Sequence, residues 1–148
     1  MKIEKLGHIV LHVRDRARSE AFYHGVLGLP IRVRYDPVPS TFFGIPGDHH
    51  LLAVIAIGEA AAAPPENGLG LRHVAFKIGE NAAQLQQARR EIEASGCKLK
   101  KALDHGITQS LYVEDPDGNT VELYVDVSDA WKLDPAEIVR PPKALTAA

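Results

Sequence analysis

"GHIVLHV" (residues 7–13) and "RHVAFKI" (residues 72–78) are two copies of one pattern. Aligned, they put His8 on His73, Ile9 on Val74, Val10 on Ala75, Leu11 on Phe76 and Val13 on Ile78. The separation is close to half of the chain before its C-terminal tail, so the copies mark an internal repeat. Each copy reads as a β-strand, and each is followed by a helical pattern. In "RDRARSEAFYHGVLGL" (residues 14–29), Ala17, Ala21, Phe22 and Val26 recur at helical spacing, and Gly28 and Pro30 stop the helix. In "ENAAQLQQARREIEASG" (residues 80–96), Leu85, Ala88 and Ile92 make the apolar stripe, Asn81 caps the start and Gly96 ends it.

Strand-like segments follow each helix. They are "PIRVRYD", "STFFGIP" and "HLLAVIAI" in the first half, and "KLKKALD", "TQSLYVED" and "TVELYVDV" in the second. The last two flank "DPDGN" (residues 115–119), a hairpin signal because Asp-Gly and Gly-Asn tolerate the backbone of a tight turn. The expected fold is α+β: one domain over residues 1–148, built from two βαβββ modules related by pseudo-two-fold symmetry. Module one runs over about residues 3–57, a linker over 58–70, module two over about 71–127 and a tail over 128–148. In the tail, Trp131, Leu133, Ile138 and Val139 are candidates to dock on the body, while the final residues fray.

A chain of 148 residues with 45% hydrophobic and 24% charged residues reads as globular. Its net charge of -2 argues against a general nucleic-acid binder. No apolar run is long enough to cross a membrane, and the start lacks a signal-peptide core, so a cytoplasmic location is the default expectation. The single cysteine, Cys97, excludes an intramolecular disulfide and a thiolate metal cluster and reads as a small buried residue.

Seven histidines offer candidate chemistry. His8 and His73 occupy equivalent points of the repeat; two imidazoles with one carboxylate make a facial triad for Fe(II) or a similar ion. His12 shares the face of His8 and is its rival, but its counterpart in the repeat is Lys77, a poor ligand, which leaves His12 a supporting polar role. Glu122 interrupts an apolar strand and is the candidate carboxylate, against the alternative of an ordinary solvent-facing glutamate. Strand alternation should send His49 and His50 to opposite faces, so that one points inward. His105 and Tyr112 flank the start of the last hairpin.

These modules, with "FYHGVLGL" and "DPDGNTVELY", resemble the vicinal oxygen chelate superfamily of glyoxalases, extradiol ring-cleavage dioxygenases, fosfomycin-modifying enzymes and bleomycin-binding proteins. The resemblance covers about residues 5–127. It implies eight strands curled around a metal cavity, metal ligation by His8, His73 and Glu122, and a homodimer. Glyoxalases usually add a glutamate on the last strand of the first module; here "HLLAVIAI" has no acid until Glu59. The stretch from His105 through Leu111, Tyr112, Asp115, Pro116 and Gly118 to Glu122 resembles the extradiol dioxygenase signature. Likewise, "GDHHLLAV" resembles the stretch carrying that group's acid–base histidine, at His50. Leu103 departs from the small or β-branched residue usual two before the histidine, the spacer from His105 to Tyr112 is short, and one such domain is present rather than two.

The resemblance implies a dioxygenase that opens a catechol-type ring with O2, using Fe(II), with Mn(II) or another divalent ion as the alternative. His50, His105 and Tyr112 would be its catalytic residues. Other metal-dependent enzymes of the fold (a lyase, an epimerase or a thiol transferase) and a small-molecule-sequestering protein are the alternatives. Pocket walls are expected from Phe42, Phe43, Ile45 and Trp131, apolar and partly aromatic, with no cluster of basic residues to hold a phosphonate.

Overall fold

The computed structural model describes residues 1–63, 65 and 67–146. Pro64 and Glu66, in the segment expected to be a linker, and the last two residues of the tail lie outside the described residues. The chain folds into two compact units, Met1–Pro64 and Pro65–Ala148.

In the first unit, β1 (Ile9–Val13) leads to α1 (Arg16–Glu20), then to β2 (Ile31–Tyr35), β3 (Ser40–Phe43) and β4 (Leu52–Ala56). The sheet order is β1-β4-β3-β2, with β1 parallel to β4 and the other pairs antiparallel. Asp15 caps α1 by accepting from the Arg18 backbone N–H at 2.7 Å. The helix does not continue as α through the expected stretch. Residues Ala21–Val26 form a π-helical turn. The wider turn carries adjacent side chains inward, so that Phe22 and Tyr23 are both buried where an α-helical stripe takes only Phe22. Tyr23 lies edge-on to Phe22 and against Phe43, above a sheet face that includes Leu11, Val13, Leu52 and Val54.

Glu20 ties this helix to the sheet. It accepts two hydrogen bonds from Arg34 Nε, one from Arg34 Nη2 and one from the buried Thr41 hydroxyl. The Arg34 bond, ahead of the opposing effect of burial, holds the Glu20 carboxyl below its ordinary value of 4.5.

In the second unit, β5 (Val74–Gly79) leads to α2 (Ala82–Ala94), then to β6 (Leu99–Asp104), β7 (Thr108–Glu114) and β8 (Thr120–Asp126). The order β5-β8-β7-β6, with β5 parallel to β8, repeats the topology of the first unit. Asn81 caps α2 by accepting from the Gln84 backbone N–H, and Gly96 follows the helix at φ +74°. Leu85 and Ile92 of α2 are buried with Leu111, Val113, Val121 and Leu123, and α2 packs on β5, β7 and β8.

The turn from β7 to β8 is organised by one buried carboxylate. Asp115 Oδ1 accepts from the backbone N–H groups of Asp117 (2.9 Å) and Asn119 (2.7 Å), and Oδ2 accepts from the Asn119 amide (2.9 Å). Gly118, at φ +92°, supplies the left-handed position. This turn fixes a register in which Tyr112 lies opposite Glu122 and Leu111 opposite Leu123.

The fold class is α+β, as expected, with one sheet of four strands and one of five among the described residues. The additional strand is β9 (Lys143–Ala144), which pairs antiparallel with β6. The tail is anchored by these backbone hydrogen bonds, while of the apolar residues expected to dock Trp131, at 40% exposure, is the most covered. Leu133, just past the 3₁₀ turn Ala130–Lys132, is 94% exposed, and Val139, at the end of the 3₁₀ turn Pro135–Val139, is 78% exposed.

Replacing Asp115 with Ala removes three hydrogen bonds to a buried carboxylate. It should destabilise the protein by about 2–4 kcal/mol in urea denaturation. Glu20→Gln tests the first unit. The stabilisation from the depressed Glu20 pKa is fully present above its unfolded value near 4.5 and is lost as pH falls through the lower folded value. The wild-type advantage over the variant, measured at neutral pH, should therefore shrink steadily in denaturation curves recorded below pH ~4.5.

Candidate active site

In the second unit, four side chains named from the sequence form one hydrogen-bonded chain. Tyr112 and Glu122 face each other across β7 and β8, and the Tyr112 hydroxyl donates to Glu122 Oε1 at 2.9 Å. The other carboxylate oxygen lies 3.0 Å from His73 Nε2, just before β5. His105, between β6 and β7, places Nε2 3.0 Å from the Tyr112 hydroxyl. Since that hydroxyl directs its proton to Glu122, His105 takes the tautomer that donates from Nε2.

Burial is the largest cause raising the Tyr112 pKa, followed by its hydrogen bond to Glu122 and that carboxylate's charge; together they push it up to about 12. Tyr112 is therefore a neutral hydroxyl at physiological pH. Two donor atoms bound about 2.1 Å from one divalent ion, at right angles, lie about 3.0 Å apart. The His73–Glu122 separation of 3.0 Å fits that spacing, and one imidazole with one carboxylate fits the chemistry of such an ion.

In the first unit, His8, His49 and His50 converge. The His8 ring lies 4.1 Å from that of His50 and 5.9 Å from that of His49, centroid to centroid. Nδ1 of His49 is 2.6 Å from Nδ1 of His50, so one of these nitrogens carries a proton and the other accepts. One potential ligand atom from each of the three histidines can be chosen such that all lie within 4.8 Å of one another. Of the two neighbours, His50 is half-buried and His49 exposed, yet both rings reach this cluster. Residues 49 and 50 precede β4 in an irregular bend, where the two-residue alternation of a strand does not apply. Burial first, then the neighbouring His8 and His49, lowers the His50 pKa below 6.5, which keeps it neutral and able to accept a proton.

The expected apolar walls are not those of the second unit's cavity. Phe43 is wholly buried against Tyr23, and Phe42 lies edge-on to His50. The cavity, about 590 Å³, is lined by His73, His105 and Tyr112 together with Arg72, Lys100 and Lys101. This basic cluster was not apparent in the sequence. Lys101 pairs with Tyr112 across β6 and β7 and sets its ammonium 4.6 Å from the centre of the Tyr112 ring. Aligning "KLKKALD" against "TQSLYVE" as a hairpin with Asp104 opposite Gln109 places Lys101 beside Tyr112, and the register irregularity falls beyond that pair, between Leu99 and Lys101. Cys97 is half-buried, and burial raises its thiol pKa, which suits a packing residue.

Residues 5–123 match the Glyoxalase/Bleomycin resistance protein/Dioxygenase superfamily, and the chain belongs to it. It is 31% identical to biphenyl-2,3-diol 1,2-dioxygenase 2 of Rhodococcus globerulus over 82% of this chain, and it spans 63% of that enzyme's length. It is 28% identical to the glutathione transferase FosA of Serratia marcescens, over 83% of this chain and 82% of that one. A crystal structure of a glyoxylase/bleomycin resistance protein/dioxygenase domain from Frankia sp. EAN1pec has the same fold. Its TM-score is 0.72 at 18% identity, covering 85% of this chain and all of the other (100%).

The imidazole of His50 should titrate below 6.5 in metal-free protein followed by NMR, and His8→Ala should move it upward by removing a neighbouring positive charge.

Proposed function

We propose that the chain is a metal-dependent dioxygenase that opens a catechol-type ring beside its hydroxyls with O2. The observation that carries this reading is the His105–Tyr112–Glu122–His73 chain, in which a carboxylate and an imidazole at ligand spacing adjoin a neutral phenol and a second imidazole. The similarity to a biphenyl-2,3-diol dioxygenase supports it. His8, His73 and Glu122 are the proposed ligands of the ion, with Fe(II) favoured over Mn(II). The proposed assembly is a homodimer. Bound there, the ion would supply adjacent positions for the two substrate oxygens and O2 and would lower the diol pKa.

The chain's own residues supply the rest. Tyr112, held protonated, turns its hydroxyl from Glu122 to a substrate oxygen, with the Nε2–H of His105 behind it. His50, held neutral, takes a proton from a substrate hydroxyl and returns it as the ring opens. Both atoms of O2 end in the product, so the reaction needs no external reductant.

A second reading is thiol transfer to an anionic small molecule, as in a glutathione transferase of this superfamily. The likeness to FosA over most of both chains and the basic cavity lining favour it.

Oxygen-electrode assays of protein reconstituted with Fe(II) without air should show O2 uptake with members of a catechol panel. No uptake with any member, alongside metal-dependent consumption of glutathione, would replace this reading with the second. Glu122→Ala should reduce bound metal at least about tenfold by elemental analysis. Tyr112→Phe should keep the metal and lower turnover by about 10²-fold.

A further inference from the structure

Resting on the dioxygenase reading, we infer that the substrate is an anionic aromatic diol, carrying a carboxylate that the Arg72–Lys100–Lys101 side of the second unit's cavity receives. The cavity, about 590 Å³, has room for a single substituted ring. Three permanent cations line it, and among the described residues no aspartate or glutamate does.

The nearby carboxylates are already engaged. Glu122 accepts from Tyr112 and faces His73, and Glu114 takes Lys98 and Lys100. Among the described residues, Lys101 rests on the face of Tyr112 with no ion pair, and Arg72 has no carboxylate partner. Lys101, Tyr112 and Glu122 are consecutive members of one cross-strand row, so the register that builds the diol end of the site also delivers a cation beside it. Arg72 directly precedes His73 in the chain, and its charge reaches Tyr112, where it favours the phenolate.

A neutral diol entering this cavity would strip water from these cations without replacing it. A carboxylate offers each a charge-assisted hydrogen bond, and a guanidinium matches it in two-point geometry.

The test is calorimetric binding to the intact, metal-free protein, which needs no turnover. The probes are 3,4-dihydroxybenzoate, its neutral near-isostere 3,4-dihydroxybenzamide, and phenylphosphonate. The carboxylate should bind at least about tenfold more tightly than the amide, the worth of one hydrogen bond to a charged group. Added salt should erode that preference. Arg72→Gln and Lys101→Gln should each weaken the carboxylate and leave the amide unchanged.

Equal affinity for acid and amide, or equal losses for both in the variants, overturns the inference. Tighter binding of phenylphosphonate than of the diol acid overturns it in favour of a phosphonate. The dioxygenase reading fails separately. Selective binding of the acid without O2 uptake removes ring cleavage and keeps the anion site, whereas uptake on neutral catechols alone does the reverse.

Discussion

The Asp115 carboxylate, buried in the turn between β7 and β8, is the constraint on which the second unit depends. By accepting from two backbone N–H groups and one side-chain amide, it closes the hairpin at one length. Side chains alternate along a strand, so a slip of one residue would turn Tyr112 and Glu122 away from their shared face and carry Leu111 and Val113 out of the core. Core and site are thus set by the same turn, and neither can change register without the other.

That register places unlike groups where they modify one another. Burial, and then Glu122 beside it, raises the Tyr112 pKa, and the phenol and His73 in turn give the carboxylate its partners. Lys101 joins the row from β6. The face opposite the helix therefore carries a line of polar and charged groups, while the helix side is aliphatic. The first unit divides in a similar way. Its helix side buries Phe22, Tyr23 and Phe43, and His8, His49 and His50 gather ahead of β1 and β4.

Much of the fold was legible from local pattern. The repeat of "GHIVLHV" in "RHVAFKI", the Asn81 cap and the "DPDGN" turn all act within a few residues, and each element they announce is present. The π-turn at Ala21–Val26 was not legible, because it is selected by what it buries rather than by spacing along the helix. Strand β9 was missed as well. Two residues carry no period, and their pairing with Leu103 and Asp104 joins segments far apart in the chain.

The sequence by itself determined the family, the βαβββ order and the residue types able to do chemistry, since alternation, capping and turn formation depend on near neighbours. It also singled out His73, His105, Tyr112 and Glu122, which the fold then linked through hydrogen bonds. Only the tertiary structure decided that His49 joins His8 and His50, and that Arg72, Lys100 and Lys101 share a cavity with Tyr112. Those outcomes follow from bends and cross-strand register, which set the direction of a side chain through partners distant in the chain.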